Sequence, residues 1–365
     1  MGRLAIISTN RNQYSETFIQ SHIDLLPFQK VVYTNGYLPT DISLDQGLTS
    51  EPLLSKKSLW KSSTPRETLT KSFRDNNIRA VLAEYGPAGV EVMDICENLN
   101  IPLIVHFHGY DAYRDDVLNS YGIKYQKLFR SASAIIGVSK DMCEQLKTLG
   151  CPEEKLHDLP YGIATDLFTP ENKSSSKKFV ACGRFVPKKA PQLTIQAFKR
   201  VVDKHSDAQL EMIGNGELME ECKELTNQLE IAENVKFLGV LDQKEIAKIY
   251  QGALAFVQHS KRTADNDSEG TPLAILEASA AGLPIISTRH AGIIDIVDDE
   301  VTGFLVDEGD VVEMANKMLL LADSTELANE MGAQGSKKIN KQYRKEDYID
   351  KLASIIHDCG IEKQS

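Results

Sequence analysis

The chain has a single tryptophan and six cysteines among 365 residues. None of the cysteines forms a Cys-x-x-Cys pair or shows a metal-ligand spacing. That excludes a zinc ribbon and a disulfide-stapled miniprotein. Cys96, Cys143, Cys151, Cys182, Cys222 and Cys359 are expected as small, mostly core residues in a reducing compartment, with a catalytic thiol the lesser alternative. No apolar run approaches the about 20 residues needed to cross a bilayer. The opening Met1-Gly2-Arg3-Leu4-Ala5-Ile6-Ile7 turns polar at Ser8-Thr9-Asn10, too soon for the apolar stretch of a signal peptide. A soluble, cytoplasmic protein is expected. Positive charge is not in excess either: 41 basic and 52 acidic side chains give −11. That argues against a protein that grips nucleic acid through a broad cationic face. With 42% hydrophobic and 25% charged residues, disorder and a collagen-like fibre are excluded as well.

At about 150 residues per domain, the length favours two domains. Short apolar runs alternate with amphipathic stretches throughout. In the first half, strands are predicted at 4–8, 30–34, 80–83, 102–107 and 134–138, with helices near 16–26, 89–99, 116–130 and 140–149. Continuous Val/Ile/Leu strands, each followed by a helix, mark a parallel sheet covered on both faces, a Rossmann-like layer. The pattern breaks at Leu159-Pro160-Tyr161-Gly162 and again at Pro170-Glu171-Asn172-Lys173-Ser174-Ser175-Ser176, which reads as a linker. A second alternation follows, with strands at 178–182, 209–213, 235–238, 253–257, 284–287 and 303–306. Its helices are expected near 191–202, 217–229, 244–250, 272–280 and 310–321, and the tail over 343–358 is again helical in pattern. No fixed short repeat is present, so the fold class expected is α/β, two similar halves rather than a solenoid.

Charge is shared unevenly. Residues 1–160 carry 17 basic and 19 acidic side chains and residues 161–365 carry 24 and 33, or −2 against −9. Within the first half, residues 51–80 hold Lys56, Lys57, Lys61, Arg66, Lys71, Arg74 and Arg79 against three acidic groups, with Trp60 beside Leu53, Leu54 and Leu59. Such a segment can rest on an anionic membrane surface; it can equally be a solvated helix or loop with snorkelling lysines.

The most informative segment is Asp267-Ser268-Glu269-Gly270-Thr271-Pro272-Leu273-Ala274-Ile275-Leu276-Glu277-Ala278. Its turn glycine and its proline, read at the first helical position, mark a helix start. The N–H groups of Gly270, Thr271 and Leu273 would then form a phosphate cradle. Eight helical residues rise roughly 12 Å, whereas hydrolase carboxylates stand about 5–9.5 Å apart. Glu269 and Glu277 are therefore no glycosidase pair. The spacing suits two acceptors gripping different parts of one long ligand, such as a sugar and a ribose flanking a diphosphate. Gly183-Arg184-Phe185-Val186-Pro187-Lys188-Lys189-Ala190 follows the first strand of the second half, at the carboxyl edge where α/β ligands bind. Arg184 and Lys189 are suited to neutralising a leaving diphosphate. Ile213-Gly214-Asn215-Gly216-Glu217 ends another strand without the third glycine of the dinucleotide fingerprint, which counts against an NAD enzyme. In the first half, His106-Phe107-His108-Gly109-Tyr110-Asp111 ends a strand with both histidines on one face. A metal site is conceivable there, but no third ligand at a suitable spacing is evident. His106 reads as a structural histidine as readily as a ligand, and His108, before a glycine, is the better functional candidate.

Together, Glu269-x7-Glu277, Gly183-Arg184…Lys189 and His108-Gly109-x-Asp111 resemble glycosyltransferase family 4 over nearly the whole chain. Ser15-Glu16-Thr17-Phe18 and Asp265-Asn266-Asp267-Ser268-Glu269-Gly270 further resemble its exopolysaccharide and colanic-acid branch. The resemblance implies a GT-B fold, in which two Rossmann-like domains (1–160 for the acceptor, 161–342 for the nucleotide-sugar) face a cleft and a C-terminal helix over about 343–365 crosses back. It implies a retaining transfer from a nucleotide-sugar, UDP favoured, to a glycan or lipid-linked acceptor at the inner face of the plasma membrane. Arg184 and Lys189 would hold the diphosphate, helped by N–H groups after Gly270. Glu269 and His108 would contact the donor sugar, Glu277 the ribose hydroxyls, and Gly214 and Asn215 the nucleotide. No metal or other cofactor is implied. Many members carry a glycine-glycine loop after the first strand; here Thr9-Asn10-Arg11-Asn12-Gln13-Tyr14-Ser15 stands instead. Arg11, Asn12, Ser15 and Asp111 are the corresponding candidates near the acceptor. A non-catalytic nucleotide-sugar-binding scaffold, a sugar-nucleotide epimerase and a glycogen synthase-like polymerase are the competing readings.

Overall fold

The structure is a computed structural model that describes residues 2–9, 16–44, 51–53, 64–171 and 176–361. The chain forms two compact units, Met1–Tyr161 together with Glu346–Ser365, and Gly162–Lys345.

The first unit is built on β1 (Arg3–Ile7), β2 (Lys30–Thr34), β3 (Asp41–Ser43), β4 (Glu51–Pro52), β5 (Ile78–Glu84), β6 (Leu103–His106), β7 (Ala134–Gly137) and β8 (Leu156–Asp158). They form one sheet in the order β4-β3-β2-β1-β5-β6-β7-β8. Pairing is parallel from β2 to β8 and antiparallel at the β2–β3–β4 edge. The order reverses between β1 and β5, the place where α/β sheets open a crevice at their carboxyl ends. Around it lie α1 (Thr17–Leu25), α2 (Pro65–Asp75), α3 (Gly86–Leu99), α4 (Tyr110–Tyr113), α5 (Asp115–Ser131) and α6 (Lys140–Thr148).

Helix α2 accounts for part of the basic 51–80 stretch. Thr64 Oγ1 accepts from the Glu67 N–H at 3.2 Å, and Glu67 Oε2 accepts from the Thr64 N–H at 2.7 Å. This reciprocal cap starts the helix, which buries Leu69 and Phe73. Arg66 pairs with Glu91 at 2.5 Å. Leu54, Lys56, Lys57, Leu59, Trp60 and Lys61 lie outside the described residues.

The second unit holds β9 (Lys178–Cys182), β10 (Gln209–Ile213), β11 (Val235–Gly239), β12 (Ala255–Val257), β13 (Ile285–Thr288) and β14 (Gly303–Val306). All pairs are parallel, in the order β11-β10-β9-β12-β13-β14. This is the doubly wound order, with its switch point between β9 and β12. The helices are α7 (Pro191–Val202), α8 (Met219–Gln228), α9 (Gln243–Gln251), α10 (Leu273–Ala280), α11 (Ile293–Ile296), α12 (Val311–Asp323) and α13 (Thr325–Gln342). Alternation along β9 sends Phe179 into the core with Phe198 and Met314, and Val180 into the opposite core with Tyr250 and Ile275. The last helix, α14 (Lys345–Asp358), buries Tyr348, Ile349, Leu352, Ala353 and Ile356.

Two expectations are corrected here. Residues 162–171 are not linker: Ile163 bridges to Arg344, and Phe168 is buried near Tyr250 with ring centroids 6.0 Å apart. Proline and glycine mark where a chain turns, whether or not the turn is packed. Residues 172–175, from the serine run, lie outside the described residues. Pro272 caps α10 rather than opening it, because its backbone is extended (ψ 107°) and the helix begins at Leu273.

Candidate active site

The loops leaving β9 and β12 flank the switch point of the second unit, and charge is concentrated there. The segment Pro187–Lys189 is a single 3-10 turn that places two lysines side by side. Lys188 is buried, with Nζ donating to Asp267 Oδ1 at 3.0 Å and to the Ser268 carbonyl at 3.1 Å. It therefore pins the segment leading to Glu269. Lys189 Nζ meets Glu269 Oε1 at 2.9 Å. Burial works to raise the Glu269 carboxyl, but the charges of Lys189 and Lys188 outweigh it and hold the group at about 2. The Glu269 N–H donates to His290 Nε2 at 3.2 Å, so the His290 proton sits on Nδ1, 2.5 Å from Glu308 Oε1. Gln258 completes the surround. With its amide turned so that Nε2 donates to the Cys182 carbonyl (3.2 Å), Oε1 accepts from Lys189 Nζ at 3.3 Å. The Arg184 side chain is exposed and, among the described residues, makes no ion pair.

Beside this cluster, the N–H groups of Gly270, Leu273 and Ala274 make no hydrogen bond among the described residues, while Thr271 is buried. They open α10, which is eight residues long, and the positive end of its dipole adds to the two lysines. Glu277, on the next turns, is buried and accepts from Gln243 Nε2 at 3.1 Å. Burial pushes its carboxyl up to about 7, against the lesser pull of Gln243 and Lys345.

The glycines nearby act by allowing close approach. A Cβ on Gly214 would fall 2.0 Å from the Gly183 carbonyl oxygen, and one on Gly216 would fall 2.5 Å from that of Phe185. The β9 and β10 loops touch here, with the Gly183 N–H donating to Ile213 O at 3.0 Å and the Phe185 N–H to Asn215 O at 3.0 Å. The Gly214 N–H donates to the Gly239 carbonyl at 2.7 Å. Asn215 is exposed, and its Oδ1 accepts from the Gly216 N–H at 2.8 Å.

In the first unit, β5, β6 and α1 assemble a second cluster. Glu84 ends β5 with no solvent exposure. Its Oε1 lies 2.7 Å from His22 Nδ1 and its Oε2 lies 2.8 Å from His108 Nε2. The other nitrogens of those rings meet hydroxyls, His22 Nε2 that of Tyr348 at 2.6 Å and His108 Nδ1 that of Tyr161 at 2.5 Å. Both nitrogens of the His108 ring are thus engaged, and only departure of Tyr161 would free Nδ1. His106 is wholly buried, and both its nitrogens lack partners. Burial keeps it well below the usual histidine range, hence neutral. His22, Glu84 and His106 bring three potential metal-ligand atoms within 4.8 Å of one another, a set hidden from sequence spacing because it draws on three separate elements.

The Asp111 carboxylate accepts from the N–H groups of Gly86 (2.9 Å), His108 (3.0 Å) and Gly109 (2.9 Å), so it shapes the loop. Arg11, Asn12 and Ser15 lie outside the described residues. Sequence reasoning missed His22, Glu84, Tyr161 and Tyr348 here, and Lys188, Gln258 and His290 in the second unit. The signal available was the charge closing an otherwise apolar strand, Glu84 after Val81-Leu82-Ala83. A catalytic thiol is not supported: burial pushes Cys96, Cys143, Cys182 and Cys222 up to about 12.

Two Rossmann-like units, the second carrying a cation–carboxylate clasp beside a helix start at its switch point, make this a protein of the GT-B class. Sequence comparison agrees, with Glycosyltransferase Family 4 matching residues 29–167 and Glycosyl transferases group 1 matching residues 164–338. The chain belongs to the family 4 glycosyltransferases. A relative from Escherichia coli named for colanic acid biosynthesis, WcaL, is 27% identical over 75% of this chain and 69% of its own. The amylovoran biosynthesis glycosyltransferase AmsK of Erwinia amylovora is 27% identical over 68% of this chain and 62% of its own. The chain thus spans about two thirds of the length of these curated relatives. Among solved structures, Anabaena HepE in complex with UDP superposes with a TM-score of 0.81 at 16% identity, covering 98% of this chain and 100% of that one. Sucrose-phosphate synthase from Thermosynechococcus elongatus gives 0.79 at 17% identity, covering 98% and 99%. These two share the fold. No helix among the described residues is long and apolar enough to cross a membrane.

Proposed function

We propose that the protein moves a glycosyl unit, with retention of configuration, from a nucleoside-diphosphate sugar to a hydroxyl of a glycan or lipid-linked acceptor in bacterial surface polysaccharide synthesis. The observation that carries this reading is the clasp of Lys189 on Glu269 beside the start of α10, pinned from behind by Lys188. Breaking a sugar–phosphate bond places charge on the diphosphate, and preformed positive groups stabilise that charge most where water is scarce. Lys189 and Arg184 would meet the diphosphate oxygens together with the N–H groups of Gly270 and Leu273. Glu269, ionised, would accept from donor-sugar hydroxyls, Glu277 from ribose hydroxyls, and His108 would take a sugar hydroxyl in place of Tyr161. The anomeric carbon–oxygen bond breaks with its electrons passing to the diphosphate. The acceptor oxygen then bonds to the same face, and its proton goes to the departing phosphate oxygen. Two cations and a helix start do the charge work, so no metal is invoked.

UDP is the favoured base, in a cytoplasmic protein that touches the membrane only at its surface. The first test is a thermal-shift panel of UDP, GDP and their sugars, since a ligand at ~100 Kd stabilises by about 2.7 kcal/mol. Transfer from the donor so found is expected to fall at least a hundredfold in Lys189→Ala, the scale of losing one charge-stabilising donor. A folded Lys189→Ala protein that transfers at the wild-type rate would refute the assignment. Binding without turnover in the wild type, even of the donor to water, would instead favour the non-catalytic scaffold.

A further inference from the structure

The cluster around Glu84 lies outside the diphosphate chemistry, yet it is a connected polar network that links β5, α1 and the loop after β6. Glu84 is buried, and each of its oxygens is committed to one ring nitrogen, Nδ1 of His22 and Nε2 of His108. An ionised carboxylate only accepts, so both of those nitrogens carry hydrogen. Burial works against the Glu84 charge, but His22 and His108 and their hydrogen bonds outweigh it and hold the carboxyl far below the usual range. A neutral His108 with hydrogen on Nε2 has a lone pair on Nδ1, and that lone pair accepts the Tyr161 hydroxyl at 2.5 Å. His106 does not compete for the carboxylate: its Nδ1 is 3.8 Å from Glu84 Oε2 and makes no hydrogen bond.

The geometry points to Glu84 as a positioning residue that fixes His108 in its Nε2–H tautomer, so that Nδ1 stands ready to accept a donor-sugar hydroxyl. This rests on the role proposed above for His108. A ring locked before the substrate arrives needs no reorganisation during the reaction, as with histidines held by a neighbouring carboxylate in other sites. Phe18 and Tyr85 hold the ring from two sides, with centroids 4.6 and 4.7 Å away, so the hydrogen bond to Glu84 need only choose the tautomer.

The test is long-range 1H–15N correlation spectroscopy on the full chain labelled at histidine, with His108 assigned by its loss in His108→Gln. Wild-type His108 is expected to show hydrogen on Nε2 and a lone pair on Nδ1. In Glu84→Gln, whose amide offers one acceptor and one donor, that tautomer is expected to be lost. Turnover of the nucleotide-sugar giving the largest thermal shift should fall at least tenfold, with the UDP dissociation constant unchanged within twofold. A wild-type Nδ1–H tautomer, a cationic His108, or a folded Glu84→Gln protein within twofold of wild-type turnover would each overturn the inference. So would one zinc per purified wild-type chain that disappears in Glu84→Gln, since Glu84 would then be a ligand beside His22 and His106. If Glu84→Gln does not fold, the wild-type spectrum alone decides. Wild-type transfer by His108→Gln would sink the role of His108, a failure distinct from the wrong tautomer.

Discussion

Glu269 and Glu277 are buried carboxylates in the same segment, and their surroundings drive them in opposite directions. Lys189 and Lys188 hold Glu269 at about 2, whereas burial outweighs the lesser pull of Gln243 and Lys345 on Glu277 and lifts it to about 7. The sign of the second shift has a consequence for stability. The unfolded chain gives up this proton near the ordinary value of 4.5 and the folded chain near 7. Glu277 therefore supports the fold fully below about pH 4.5, and that support drains away as pH rises through 7. At about 1.4 kcal/mol per unit, the loss at pH 8 is on the order of 3 kcal/mol. Glu277→Gln keeps a neutral acceptor for Gln243 at every pH. It is expected to be more stable than wild type at pH 8 by up to about 3 kcal/mol, and nearly equal at pH 4.5. Urea unfolding at the two pH values measures this. A Glu277→Gln protein no more stable than wild type at pH 8 would show that the charged form is better accommodated than its burial implies.

At the scale of elements, the site is made by the way strands hand over to loops. The β9 and β10 loops can touch only because Gly214 lacks a Cβ and holds φ at +124°. Gly239, at the end of β11, has φ +70° but open space around it. Comparing alanine at the two positions separates strain from collision. Gly239→Ala should lose about 1 kcal/mol, the cost of a left-handed backbone alone. Gly214→Ala adds backbone-to-backbone overlap with Gly183 and should lose more than about 3 kcal/mol or fail to fold. Equal losses in urea unfolding would mean that the two loops are free to part. The same elements show how far sequence reaches. β2, β9, β10, β14 and α7 fall where apolar runs and Pro191 place them, because each buries a continuous stripe. The short β3, β4 and β8 and the helix α2 escape, since two or three residues carry no period and the α2 segment reads as charge. Lys189, Glu269 and the α10 start are legible because they lie in short contiguous motifs. The Glu84 network is not legible, since Glu84, His22 and Tyr348 come from β5, α1 and α14 and meet only after folding.

For the whole molecule, a net charge of −11 sets the terms on which it can meet a membrane. The chain as a body is repelled by anionic lipid, so the proposed membrane contact would have to be local, at the stretch 51–80 with its seven basic against three acidic side chains. Part of that stretch is already committed, since Leu69 and Phe73 are buried under α2 and Arg66 is paired with Glu91. Under the proposed membrane contact, the lysines beside Trp60, namely Lys56, Lys57 and Lys61, would carry that attraction. Each cation near an anionic surface contributes about 1 kcal/mol, so replacing all three with alanine should remove about 3 kcal/mol, roughly a hundredfold in partitioning. Co-sedimentation with vesicles of phosphatidylglycerol and phosphatidylcholine at low salt measures this, and the wild-type binding should vanish on pure phosphatidylcholine or as salt shortens the reach of the charges. Equal binding to neutral vesicles, or a triple variant that binds anionic vesicles like wild type, would mean that this stretch gives no charged foothold on a membrane.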